Sequence, residues 1–112
     1  MPIIDEKTFG ELKQMSGAEF INELIDTFLE DSPKLIEEMG SALTVNNLDS
    51  FRRSAHSLKS NAATFGAGEL FALAKELEML GKENKLIEAE AKLKALEESY
   101  ESVRKELSEL RS

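Results

Sequence analysis

The chain has 112 residues, 41% hydrophobic and 32% charged, with 22 acids against 14 bases and a net charge of −8. That length suits one helical domain spanning residues 1–112, and the composition excludes a disordered tract. The negative charge argues against nucleic acid or an anionic membrane as the main partner, and the lack of cysteine excludes disulfides and thiolate metal sites. One histidine is too few for a protein-built zinc site, so no metal is expected. No apolar run approaches the length of a bilayer span, so no membrane insertion is expected. The absence of cysteine also fits a cytoplasmic setting, and residues 1–6 lack the basic-then-apolar layout of a secretory signal.

Glycine and proline divide the sequence into helices. The first is short, from about Asp5 to Met15, with Ile4, Phe9 and Leu12 on its apolar side and Ser16-Gly17 as its break. Ile3, Ile4 and Phe9 could form a docking patch, and capping of the bundle core is the favoured reading. The second runs from about Ala18 to Leu43. Phe20, Leu24, Ile25, Phe28 and Leu29 recur at three and four residues, and Leu35, Ile36, Met39 and Leu43 continue the pattern. Pro33 interrupts it, and one kinked helix is the favoured reading. Asn46-Asn47 then turns the chain.

The third helix is predicted from about Leu48 to Phe65, ended by Gly66 and Gly68. The fourth is predicted from about Glu69 to Leu80, with Leu70, Leu73, Leu77 and Leu80 inward and Gly81 as its stop. The fifth runs from about Asn84 to Leu110. Leu86, Ala89, Leu93, Leu96, Tyr100, Val103, Leu107 and Leu110 form its regular apolar stripe. At about 40 Å its last turns are expected to project beyond the others. Met15, Met39 and Met79 read as core filler, and Glu37-Glu38, Glu97-Glu98 and Arg104-Lys105-Glu106 as solvated faces.

Four long amphipathic helices with short turns specify an all-α fold, an antiparallel four-helix bundle with an additional short N-terminal helix. The regular stripe of the fifth helix also fits a coiled-coil dimer.

The sole histidine, His56, lies in a stretch from Ser50 to Gly68 that contains no acid. On a helical wheel Leu48, Phe51, Ala55, Leu58, Ala62 and Phe65 share one face, and His56 points about 130° away from its centre. It is therefore expected at the surface. Arg52 and Ser60 stand at i−4 and i+4, and Arg53 and Lys59 at i−3 and i+3. A neutral imidazole has a free lone pair, so it can attack phosphorus directly and form a phosphohistidine. The cations would offset the charge of the phosphoryl group, Lys59 being best placed. The small Ser60 and Ala63 leave room for another protein to reach the ring. A lone histidine beside Arg and Lys is also what solvated surface looks like, and on these residues alone both readings stay open. No second general acid or base is expected beside His56.

The run Ala55-His56-Ser57-Leu58-Lys59-Ser60-Asn61-Ala62-Ala63-Thr64-Phe65-Gly66-Ala67 closely resembles the motif of histidine-containing phosphotransfer (HPt) domains. There Ala-His-x-Leu-Lys-Gly is followed by small residues, then an apolar residue and Gly. The resemblance covers essentially the whole chain. It implies that His56 accepts a phosphoryl group from an aspartyl phosphate and passes it on, and that Lys59 stabilises that group. Ser60 departs from the pattern, standing where the family usually has glycine to let the partner approach. The implied partners are receiver domains of response regulators and of hybrid histidine kinases, docking chiefly on the second and third helices around the histidine. The implied role is a monomeric phosphocarrier, not an autonomous ATP-dependent kinase. It needs no cofactor, and any Mg²⁺ would belong to the receiver. The alternative is a non-catalytic helical interaction module, either a degenerate HPt domain or a coiled-coil dimer, that docks receivers without transfer.

Overall fold

A computed structural model describes residues 3–111. Five helices follow one another: α1 (Glu6–Ser16), α2 (Ala18–Thr44), α3 (Leu48–Phe65), α4 (Gly68–Lys82) and α5 (Leu86–Leu110). Helices α2 to α5 pack as a ring of neighbours, α2 on α3, α3 on α4, α4 on α5 and α5 back on α2, while α1 lies against α2 and α3. This is the expected antiparallel four-helix bundle with a short N-terminal helix. Among the described residues no helix is long and apolar enough to cross a membrane.

The core is built from the predicted stripes. Ile25, Met39, Phe51, Leu58, Leu70, Leu77, Leu96 and Leu107 are fully buried. Each such side chain contributes roughly 1.5–3 kcal/mol through its removal from water. Phe28 packs edge-on against Phe65 with ring centroids 5.2 Å apart, tying α2 to the end of α3. Helix α2 passes through Pro33 without a break.

Some expectations fail for reasons of helical register. The buried row of α2 is Ile21, Ile25, Phe28 and Ser32. Phe20 lies one step to its side and is 51% exposed. Met15 stands six residues beyond the buried Phe9 on α1, about 240° around the helix, and is 87% exposed. Met79 is 51% exposed for the same kind of reason, so of the three methionines expected in the core only Met39 is there. Nor does the end of α5 project freely. Leu107 is buried, and Arg111 just beyond the helix grips Asp26 of α2 with two hydrogen bonds of 2.6 and 2.7 Å.

Two glycines set close approaches. Gly66 ends α3 in the left-handed conformation at φ 74°, which costs glycine little. Its carbonyl accepts from the Asp5 N–H at 2.9 Å, so the start of α1 rests on the end of α3. Asp5 caps α1 by accepting from the N–H and hydroxyl of Thr8. Gly81 does not stop α4. It is buried inside the helix, where an added Cβ would meet Arg52 Cγ and Phe51 Cδ1 at 2.9 Å. Its missing side chain is what lets α4 lie so close to α3.

Gly81→Ala should therefore destabilise the bundle by about 1 kcal/mol. Overpacking of roughly 1–3 kcal/mol outweighs the gain in helix propensity of about 1 kcal/mol. Gly10→Ala, with no neighbour within 4 Å of an added Cβ, should stabilise by roughly 0.5–1 kcal/mol. Urea unfolding of the two variants checks the opposite signs. A third expectation concerns pH. The side-chain hydrogen bond from Thr8, then its N–H, hold the Asp5 carboxyl below its ordinary value of 3.8. A depressed carboxyl stabilises the fold above that ordinary value and loses its contribution as pH falls through the folded one. Asp5→Ala should thus lower the thermal midpoint at neutral pH, and the gap from wild type should close below about pH 3.8.

Candidate functional site

The face of α3 opposite its core row carries the histidine, as its register requires. Phe51, Ala55, Leu58, Ala62 and Phe65 point inward, and the His56 side chain is 59% exposed. It lines an open groove between α3 and α4 with Asp49, Arg52, Arg53, Ser57, Glu78 and Lys82. Ser60 and Ala63 are exposed one and two turns further along α3. Of the residues singled out in the sequence, His56, Arg52 and Arg53 thus share one groove. Lys59 is only 22% exposed and reaches the site by another route.

That route is Glu78. Its carboxylate bridges the site, with Oε2 2.7 Å from His56 Nδ1 and Oε1 2.7 Å from Lys59 Nζ. Glu78 itself is almost entirely buried at the α3–α4 seam. This overturns the expectation that no second acid or base stands beside the histidine. The acid-free stretch of α3 receives its acid from the neighbouring helix. Leu70, Ala74 and Glu78 lie in one row at intervals of four, so an acid occupies an otherwise apolar stripe. That misfit was the available signal. The leucine spacing pointed instead to Leu73 and Leu80, which are only partly buried, while Ala74 and Gly81 are buried.

Burial by itself would push the Glu78 carboxyl up. The hydrogen bond from Lys59, then that from His56, with the two charges behind them, outweighs it and holds the group below its ordinary value of 4.5. Glu78 is therefore ionised at neutral pH and accepts hydrogen bonds without donating any. The hydrogen between Glu78 and the ring must then sit on Nδ1 of His56. In the neutral ring this leaves the lone pair on Nε2, the nitrogen away from Glu78. Among the described residues the ring has no other hydrogen-bond partner.

The flanking cations are differently committed. Arg52 donates to Asp49 at 2.5 Å, and Arg53 Nε donates to the Asp49 carbonyl at 3.4 Å. Lys82 lines the groove and has no ion-pair partner among the described residues. The result is a nucleophilic nitrogen of fixed tautomer beside a local excess of positive charge, on a chain of net charge −8. That combination suits attack on an anionic phosphoryl group.

Known proteins share both the sequence and the shape. A model of the Hpt domain family matches residues 23–111. The phosphorelay protein LuxU of Vibrio vulnificus strain YJ016 is 28% identical over 78 residues, covering 70% of this chain and 68% of that protein. The crystal structure of histidine-containing phosphotransfer protein B (HptB) from Pseudomonas aeruginosa PAO1 superposes with a TM-score of 0.93 at 28% identity, covering 98% of this chain and 95% of that one. ZmHP2, a histidine-containing phosphotransfer protein from maize, shares the fold with a TM-score of 0.84 at 17% identity, over 98% and 88% of the two chains. With a match over residues 23–111, on a bundle that carries its one histidine exposed on α3, the chain belongs to the Hpt domain family.

Proposed function

We propose that this chain relays phosphoryl groups in a two-component phosphorelay, with His56 as the phosphoacceptor. Family membership and the named relatives support histidine phosphotransfer. The observation that carries the assignment to His56 is the pairing of Nδ1 with an ionised Glu78, which leaves Nε2 free on an exposed ring. In the forward step the Nε2 lone pair forms a bond to phosphorus. The P–O bond of an aspartyl phosphate breaks, and its electron pair leaves with the aspartate carboxylate. The reverse step delivers the group to a second aspartate.

The donors and acceptors in this reading are receiver domains of response regulators and of hybrid histidine kinases. They supply the aspartate, and with it any Mg²⁺. This chain is the carrier, acts as a monomer in the cytoplasm, and needs no cofactor of its own. Arg52, Arg53 and Lys82 shape a positive field in the groove. Lys59 has two tasks. Before transfer it holds Glu78 ionised, and after transfer it offsets the added phosphoryl charge from behind that carboxylate. Ser60 and Ala63 are small and exposed, which keeps the surface beside the ring clear for docking.

Incubation with a phosphorylated receiver domain tests the reading. Wild type should acquire an acid-labile, alkali-stable label, and His56→Gln should acquire none. Lys59→Met should slow transfer on the order of a hundredfold, the usual scale for loss of one preorganised charge-stabilising group. Ala63→Trp should leave the thermal midpoint unchanged, because the site is exposed, yet obstruct docking and slow transfer. An unlabelled, folded wild type across a panel of receivers would leave a docking module without transfer.

A further inference from the structure

We infer that Glu78 keeps the Nδ1 proton on His56 after the ring is phosphorylated, so that the carried group stays on a leaving group that needs no further proton to depart. This rests on the phosphotransfer reading above and adds a positioning role to it.

The proton count gives the reason. Before transfer the ring carries one hydrogen, on Nδ1, directed at Glu78 Oε2 at 2.7 Å. When Nε2 bonds to phosphorus that hydrogen stays in place. Both ring nitrogens are then substituted and the ring is formally cationic. In water such a ring readily loses its Nδ1 proton at neutral to alkaline pH. What remains is a neutral N-phosphoimidazole, whose departure would release an imidazolate, a poor leaving group. With the proton retained, the N–P pair returns to Nε2 and a neutral imidazole leaves. The loading and unloading steps then exchange no proton with solvent.

The surroundings assign this retention to Glu78 alone. On α3 the groups facing the ring are Asp49, Arg52 and Arg53, and on α4 Glu78 and Lys82. The three cations favour losing the proton. The Asp49 carboxylate is engaged by Arg52, and Arg53 donates only to the Asp49 backbone carbonyl. On α2, Glu38 accepts from the Ser54 hydroxyl at 3.1 Å. Ser54 lies about 160° around α3 from His56, on the opposite face. Lys59, also on α3, reaches Glu78 and keeps it ionised. One carboxylate in contact with Nδ1 thus stands against the local cations. A hydrogen bond to a charged acceptor is among the stronger ones, enough to decide the ring's state over a pH unit or more.

Glu78→Gln is the test, because glutamine keeps the shape and a carbonyl acceptor for Nδ1–H but removes the charge. Both proteins would be loaded with phosphoramidate, and isotope-labelled histidine would report the Nδ1 proton by nitrogen NMR. His56 is the only histidine, so the signal is unambiguous. Phosphoryl transfer to one receiver domain would be timed over the same pH range. The folded wild type should hold the proton to higher pH than either Glu78→Gln or the loaded wild type unfolded in urea. Its transfer rate relative to the variant should rise about tenfold between roughly pH 7 and pH 9. Equal proton retention in folded and urea-unfolded wild type, or parallel rate profiles for wild type and variant, would overturn the inference while leaving His56 as the phosphoacceptor. Absence of any N–P bond on folded wild type would instead remove the phosphotransfer reading, and this inference with it.

Discussion

The site depends on a carboxylate placed where a helical bundle would ordinarily put a leucine. Glu78 lies in the seam between α3 and α4, and a buried charge is tolerated there only because two hydrogen bonds of 2.7 Å satisfy it. The same two bonds do the chemical work. Lys59 overcomes the burial that would neutralise the acid, and the ionised acid fixes which ring nitrogen carries the hydrogen. Stability and reactivity are therefore one interaction seen from two sides. Losing Glu78 leaves Lys59 unpaired and the imidazole free to choose its tautomer, and losing Lys59 leaves the buried carboxylate with one partner fewer.

Such a bridge tolerates little displacement, and the scaffold supplies the needed precision by close packing. Gly81 stands three residues after Glu78, on the α4 face that meets Phe51 and Arg52. Phe51 is fully buried, so the seam cannot widen locally without disturbing the core. The far end of α3 is fixed as firmly. Gly66 turns it off in a conformation that other residues rarely adopt, the Asp5 N–H holds its carbonyl, and Phe28 presses on Phe65. His56 thus sits midway along a helix held at both ends, which limits how far the ring can drift from Glu78.

Much of this was legible in the sequence, because most of it is periodic. The bounds of α3 from Leu48 to Phe65, the continuity of α2 through Pro33 and the exposure of His56 all follow from three-and-four spacing and punctuation. What escaped depends on how helices meet. Leucines at 70, 73, 77 and 80 suggested one inward face for α4, but α3 approaches on the side where Ala74 and Gly81 leave room. Small residues bury well without adding to a hydrophobic stripe, so leucine spacing alone does not mark the face that holds Glu78. Phe20, Met15 and Met79 show the converse, being apolar residues that lie off the buried face of their helix. Position relative to another helix is not encoded in one helix's own period.

The charge distribution has a consequence for encounter as well as for chemistry. A chain of net charge −8 repels an acidic partner in general. The groove with Arg52, Arg53 and Lys82 is the local exception, since it holds three cations while Asp49 and Glu78 are both engaged by bases. An anionic group is therefore repelled from most of the surface and favoured at the face where Nε2 is free. Those cations also disfavour a positive ring, so a charge-balanced site calls for one negative group in contact with the imidazole and set back from the groove. Glu78 meets that requirement: it is buried behind His56, it touches the ring, and it presents little of its own charge to the groove.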